Sequence, residues 1–315
     1  MVAVNRIRRF GVKSFSQSKP ATAQSSSVFQ RMGRPQFRSW RHRLEESVPI
    51  LERAKVEHSI FHQVQGTLLR LGFDLQQHHN ILDFGCGSGR DVYEFRDIGY
   101  QAFGVDLHDF LQLRSPDDQQ WFRLSRNPYI YRLPYPDNHF DVIYSNQVIE
   151  HVVYYEPALQ EMRRVLKPNG ICIHIFPAKW RLIESHFRAP FGGAIRWEPW
   201  FRFWAMLGFR NAGLPGGFSG KEHAAINWKA SRTNYTYHSD KELKFFFGLF
   251  FSSVSFAEKE FILATLSDSG FSRRINSIAK VFPPIFWLYH HFHTKVAVLS
   301  GYSDPERSRD GVILY

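Results

Sequence analysis

The sequence predicts an α/β domain in which helices flank a central, mostly parallel, seven-stranded sheet. Three observations predict it. Between residues 80 and 176, short apolar runs alternate with segments of helical periodicity, the order that builds a parallel sheet through right-handed crossovers. A glycine-rich loop, Gly85-Cys86-Gly87-Ser88-Gly89, separates the first apolar run from the helix after it. The second run ends in an acid, Asp106.

The elements follow in order. Residues 44–75 read as a helical approach, with Val56, Ile60, Val64 and Leu68 at helical spacing. Asn80 to Phe84 is the first strand, Arg90 to Ile98 a helix, and Gln101 to Val105 the second strand. Trp121-Phe122-Arg123-Leu124 supplies a third and Phe140 to Tyr144 a buried fourth. From about Pro157 to Leu166 a helix places Leu159, Met162, Val165 and Leu166 on one face, and Pro168-Asn169-Gly170 reads as the turn that ends it. Ile171 to Phe176 is the fifth strand. Residues 178–236 break the pattern with Trp180, Trp197, Trp200 and Trp204 and glycine-rich stretches. Ser239-Asp240 then caps a helix through about Leu249, and Val254 to Phe256 is a sixth strand. A second irregular insert spans 260–292 before the last strand, Lys295 to Leu299. The expected organisation is a leader at 1–43 and one domain at 44–315 carrying both inserts.

Composition narrows the class. With 43% hydrophobic and 22% charged residues the chain suits a globular protein. The 30 Phe, 8 Trp and 13 Tyr can fill a core, line an apolar acceptor pocket or face a membrane. The formal charge of +11 comes almost wholly from residues 1–43, which hold ten Lys or Arg and no acid. The rest is nearly neutral, which argues against a nucleic-acid-binding surface on the folded domain. The leader reads as a solvated arm, as a transit peptide or as a membrane or nucleic-acid contact, so the expected location is cytoplasmic, or mitochondrial in the second case. No stretch is long and apolar enough to predict a spanning helix. Cys86 and Cys172 give neither a disulfide framework nor a zinc set. His290, His291 and His293 have no acid or Cys beside them in sequence, and no metal site is expected.

The strand–loop–helix unit at 81–98 carries the strongest chemical signal. Glycines let backbone approach a ligand closely, and a helix N-terminus offers unpaired amides. Asp106, at the end of the second strand, can accept from both hydroxyls of a ribose. A nicotinamide-dinucleotide enzyme is one reading, but its fingerprint wants glycine at position 90, where Arg90 stands. Asp83 also sits badly beside a pyrophosphate and well beside a cationic amino-acid group.

Ile81 to Arg90 resembles the first motif of class I S-adenosylmethionine-dependent methyltransferases. The resemblance continues through Asp106, Leu133-Pro134-Tyr135-Pro136-Asp137-Asn138-His139-Phe140-Asp141, Ser145 to Val152 and Arg164 to Gly170, covering residues 78–177. It implies a Rossmann-like fold and S-adenosylmethionine as cofactor. Asp83 with Gly85, Cys86, Gly87 and Gly89 would surround the methionine portion, Asp106 would hold the ribose and Leu107 would pack beside adenine. Ser145-Asn146 would lie over the sulfonium side, with Asn146 contributing partly through its backbone. Many members place an acid four residues before the Leu-Pro pair, where it meets the adenine amino group; Tyr129 stands there instead, a stacking or hydroxyl partner for adenine.

Such chemistry requires positioning and desolvation more than covalent catalysis. A hydroxyl acceptor adds the need for a base. His151, after the fourth strand, is one candidate, against a role holding the loop beside Glu150. Glu184 and His186, in the segment leaving the fifth strand, are the other, against a structural ion pair. The Glu-x-His run with Pro190-Phe191 looks like a feature of bacterial methyltransferases of glycans or small metabolites. The expected activity is O-methylation of a small-molecule or glycan-linked acceptor. A lipid or quinone acceptor is the alternative, with Phe245-Phe246-Phe247, Phe250-Phe251 and residues 282–292 forming an apolar tunnel or peripheral membrane surface, against the plainer reading that they pack the core of the insert helices. A noncatalytic S-adenosylmethionine-binding protein is a third reading.

Overall fold

The computed structural model describes residues 60–125, 132–210, 217–265 and 282–301. The leader at 1–43, the first part of the approach helix, Tyr129 and residues 266–281 lie outside them. Helix α1 (Ile60–Arg70) buries Phe61, Val64, Thr67 and Leu68, the stripe its periodicity predicts. Then come β1 (Asn80–Phe84), α2 (Arg90–Asp97), β2 (Gln101–Asp106), β3 (Phe122–Leu124), β4 (Phe140–Asn146), α3 (Tyr155–Val165) and β5 (Leu166–Pro177). Helices α4 (Glu198–Met206), α5 (Gly220–Thr233) and α6 (Asp240–Gly248) follow, then β6 (Ser253–Phe256), α7 (Glu258–Thr265), α8 (Pro284–Phe292) and β7 (Thr294–Ser300).

The seven strands form one sheet in the order β3-β2-β1-β4-β5-β7-β6. The first five run parallel, and β7 lies antiparallel to both β5 and β6. The chain therefore moves outward from β1 to β3 and returns to build the other half from β4. Ligands of such sheets bind beyond the strand carboxyl ends where the order reverses. Here that point lies between Phe84 and Asn146.

Alternation along the strands feeds two apolar layers. Ile81 packs with Val64, Leu68, Val92 and Phe95 under α1 and α2. Leu82 packs on the opposite face with Leu159, Met162, Phe247 and Phe251 under α3 and α6. Phe247, Phe250 and Phe251 are thus core residues, not the lining of a tunnel.

Other expectations need correction. Pro168-Asn169-Gly170 does not separate helix from strand, because β5 begins at Leu166 directly after α3. Leu166 pairs with Phe140 and Ile171 with Val142, so the extra residues of β5 loop out as a bulge. Proline is tolerated there because the ladder is interrupted. The segment at 178–236 contains α4 and α5, held by a small core of Phe187, Ala189, Phe201, Ala224 and Tyr237. Its aromatics hid the helical period because several of them, Trp197 and Phe203 included, stay exposed. Among the described residues no helix is long and apolar enough to cross a membrane.

His290 does have acid companions, brought by the fold. Its Nε2 lies 2.7 Å from Asp240 Oδ2 and its Nδ1 lies 2.9 Å from Glu258 Oε1, while Lys295 also pairs with Asp240. Burial alone would lower the His290 pKa, but the two carboxylates outweigh it and raise the value to about 9. A raised histidine stabilises the fold fully below its unfolded value near 6.5 and loses that contribution as pH climbs through about 9. His290→Gln should therefore destabilise the fold by roughly 1–3 kcal/mol more at pH 6 than at pH 10, seen as a larger drop in Tm at pH 6. Equal destabilisation at both pH values in thermal melts would refute a charged His290.

Candidate functional site

The glycine loop is wired to the end of β2. Gly85 N and Cys86 N both donate to the Val105 carbonyl, at 2.8 and 3.1 Å. Gly87 N donates to Asp106 Oδ2 at 2.8 Å, and His108 N donates to Asp106 Oδ1 at 2.9 Å. Asp106 therefore shapes the loop as well as presenting its remaining lone pairs. Gly85 has φ +83°, and a Cβ there would lie 2.5 Å from Val148, so this position requires glycine for conformation and space. Gly87 is different. It has φ +52°, and a Cβ would meet nothing within 4 Å, which leaves open room over the loop. Cys86 is buried with its thiol pKa pushed up by that burial, and it packs against Gly104. Its side chain belongs to the core; only its backbone belongs to the loop.

Three carboxylates converge beneath this space. Asp83 is almost wholly buried, and its pKa is raised first by that burial, then by Asp91 and Asp106. Tyr144, on β4, donates to Asp91 Oδ2 at 2.8 Å. A buried acid beside two others calls for a cation. The open face over Gly87 together with this acid group fits S-adenosylmethionine, whose α-ammonium and sulfonium are both positive, while the loop amides can meet its α-carboxylate. Asp83 and the loop would hold the methionine portion, Asp106 the ribose, and half-buried Leu107 the adenine side. Asn146 ends β4 at the same edge. Ser145, in contrast, is buried and bonded to His174 Nδ1 at 2.8 Å, on the core side of the strand.

The histidines and Glu184 gather at the neighbouring strand ends. Val148, which meets Gly85, leads into a 3-10 turn at Ile149–His151. Glu184 follows β5 and has no exposed surface. It accepts from the backbone amides of His186 at 2.7 Å and Phe187 at 2.8 Å, and from Tyr237 Oη at 2.6 Å. His186 Nδ1 lies 2.7 Å from Glu184 Oε1. Burial would raise the Glu184 pKa, but the hydrogen bonds from His186 and Tyr237 hold it below the usual range. The His186 ring lies 5.2 Å from His151 and 4.5 Å from Tyr235, centroid to centroid. Burial, then the neighbouring His186, lowers the His151 pKa to about 4.

A family model described as a methyltransferase domain matches residues 56–239, more than half of the chain. The chain belongs to this methyltransferase family. S-adenosylmethionine is the cofactor of this domain. A sterol 24-C-methyltransferase of Gibberella zeae is 31% identical over 100 residues, covering 29% of this chain and 26% of that protein. An uncharacterised methyltransferase of Mycobacteroides abscessus is 28% identical over 166 residues, covering 48% of this chain and 61% of that protein. The chain thus spans less than two thirds of either relative's length. Among solved structures, a Haemonchus contortus phosphoethanolamine N-methyltransferase in complex with S-adenosylmethionine superposes with TM-score 0.43 at 12% identity, covering 78% of this chain and 53% of that one.

The fold joins Asp83, Gly85, Gly87, Gly89, Asp106 and Asn146 along one sheet edge, and His151, Glu184 and His186 in a second group beside it. Sequence reading missed Asp91 and Tyr144 beneath the loop, and Tyr235 and Tyr237 around the histidines. Asp91 carried a usable signal, an acid in the first turn of the helix that the loop opens.

Proposed function

We propose that this enzyme methylates a hydroxyl oxygen on a small-molecule or glycan-linked acceptor received between His186, His151 and Tyr235. The observation that carries this reading is the 2.7 Å bond between His186 Nδ1 and Glu184. With Nδ1 donating to the carboxylate, Nε2 is the nitrogen that can accept a proton, and the ring is fixed in orientation. The bound cofactor supplies a methyl group already activated by its sulfonium. His186 takes the proton of the acceptor hydroxyl as the oxygen attacks, and buried Glu184 stabilises the resulting imidazolium. Glu184, fully enclosed, is a positioning residue that does not reach the acceptor. His151 remains neutral near pH 7 and bounds the acceptor space.

One observation favours a lipid-like acceptor as the second reading. Trp197, Phe203, Met206 and Leu207 at α4 are 64%, 54%, 70% and 58% exposed, a band suited to an apolar surface. The sterol relative supports the same direction. Incubating the chain with methyl-labelled S-adenosylmethionine and panels of hydroxylated sugars, phenols and dispersed lipids separates the two. Label in an ether or ester oxygen of water-soluble acceptors is expected. Label in lipids alone would establish the second reading, and transfer only to nitrogen or carbon would overturn the oxygen assignment.

A further inference from the structure

Glu150 plays no part in the chemistry just described, and its surroundings are unusual. It is 1% exposed, and among the described residues neither carboxylate oxygen has a hydrogen-bond partner. Burying a carboxylate without partners is strongly unfavourable. What faces it is His151, whose Nε2 lies 4.0 Å from Glu150 Oε1. One donor atom from each of Glu150, His151 and His186 lies within 4.8 Å of the other two. His186 commits Nδ1 to Glu184, which leaves Nε2 for a ligand.

We propose that Glu150, His151 and His186 bind a divalent transition-metal cation. Two ligands each about 2.1 Å from one ion can be as much as roughly 4.2 Å apart, so the Glu150–His151 gap accommodates it and small side-chain adjustments bring in His186. Two imidazoles and one carboxylate suit Mn²⁺, Fe²⁺ or Zn²⁺ better than the all-oxygen shells of Ca²⁺ or Mg²⁺. The Glu184–His186 bond is the outer contact that ligating histidines ordinarily carry, fixing tautomer and ring plane. Tyr237 in turn holds Glu184.

A second acid–histidine group provides a contrast. Asp240, His290 and His291 offer donor atoms at similar spacing. There the Lys295 ammonium already pairs with Asp240, and both nitrogens of His290 are engaged by carboxylates. The positive charge a metal would bring is in direct contact within that group, while among the described residues Glu150 has no cation within hydrogen-bonding distance, Arg181 acting on it only from farther away. The ion would occupy the His186 Nε2 that otherwise serves as base; resting on the oxygen-methylation reading, its open positions would then take the acceptor hydroxyl and lower its pKa, and the proton would leave to solvent in place of His186.

The test uses the full chain stripped with EDTA and titrated with Mn²⁺ and with Zn²⁺ by calorimetry, Mn²⁺ also by electron paramagnetic resonance. One ion per chain is expected. Glu150→Gln and His186→Ala should each weaken it at least 100-fold, and Glu184→Gln 10- to 100-fold, while His291→Ala leaves it unchanged. S-adenosylmethionine binding and circular dichroism, retained in every variant, show that the fold survives. Absence of ion binding by the unsubstituted chain would overturn the proposal. So would binding that persists in Glu150→Gln and His186→Ala but disappears in His291→Ala. Methyl transfer that is insensitive to EDTA yet impaired by His186→Ala would remove the metal and leave the base reading standing. Ion binding with these variant effects but no oxygen methylation would keep the site and discard the acceptor reading.

Discussion

Replacing Asp106 with Ala is expected to weaken S-adenosylmethionine binding by about 2–5 kcal/mol, roughly 30-fold or more, without unfolding the domain. Two losses combine in this variant. The direct loss is a charged acceptor for ribose hydroxyls, a stronger partner than any neutral group. The indirect one is the anchor of the glycine loop, because Gly87 N and His108 N both donate to the carboxylate. Without that anchor, Gly87 has no reason to keep the left-handed conformation that opens the space above it. Asp106→Asn retains one side-chain acceptor and should show a smaller loss, and the ratio of the two variants separates charge from loop geometry. Calorimetric titration alongside circular dichroism makes the measurement. Full affinity in the Ala variant would mean that the ribose is held elsewhere and that β2 does not end at the cofactor.

The difference between the two halves of the site follows from how each is encoded. The proposed cofactor cradle is built from residues close in sequence, with the strand, turn and helix of 81–98 supplying the loop and the next strand end supplying Asp106. Local pattern and steric need at Gly85 make such a unit legible from the chain alone. The seven-stranded sheet was legible for the same reason, since its central strands each carry their own apolar run. The histidine group is encoded otherwise. Glu184 acquires its role from Tyr237, fifty-three positions further on, and no local period links them. His290 likewise appeared isolated until folding brought Asp240 and Glu258 to it. The β5 bulge is a further case, where a strong turn signal at Pro168-Asn169-Gly170 was accommodated inside a strand because pairing with β4 resumes at Ile171. Local propensity set the chemistry of those residues, while tertiary pairing decided which element they joined.

His186→Ala should reduce single-turnover methyl transfer about 10²- to 10⁴-fold while S-adenosylmethionine affinity changes less than about 3-fold. The asymmetry follows from position. His186 stands with His151 and Tyr235, and its contacts run to Glu184 and these rings, not to Asp83, Asp106 or the glycine loop. Truncating Glu184 to Ala would be a poor test, because it strands the amides of His186 and Phe187 and the hydroxyl of Tyr237 inside the protein. Each such loss costs about 1–3 kcal/mol. Tyr237→Phe is gentler. It removes one donor from Glu184 and leaves the His186 bond in place, so its rate should fall far less than that of His186→Ala, with the pH profile displaced as the carboxylate loses a partner. His151→Ala belongs in the same series, since its ring lies beside that of His186 and burial keeps it neutral near pH 7. Cofactor dissociation constants and single-turnover rates for all three variants decide the assignment. A normal rate in His186→Ala would reject this residue as the base, and a large loss confined to His151→Ala would move that role across the 5.2 Å separating the two rings.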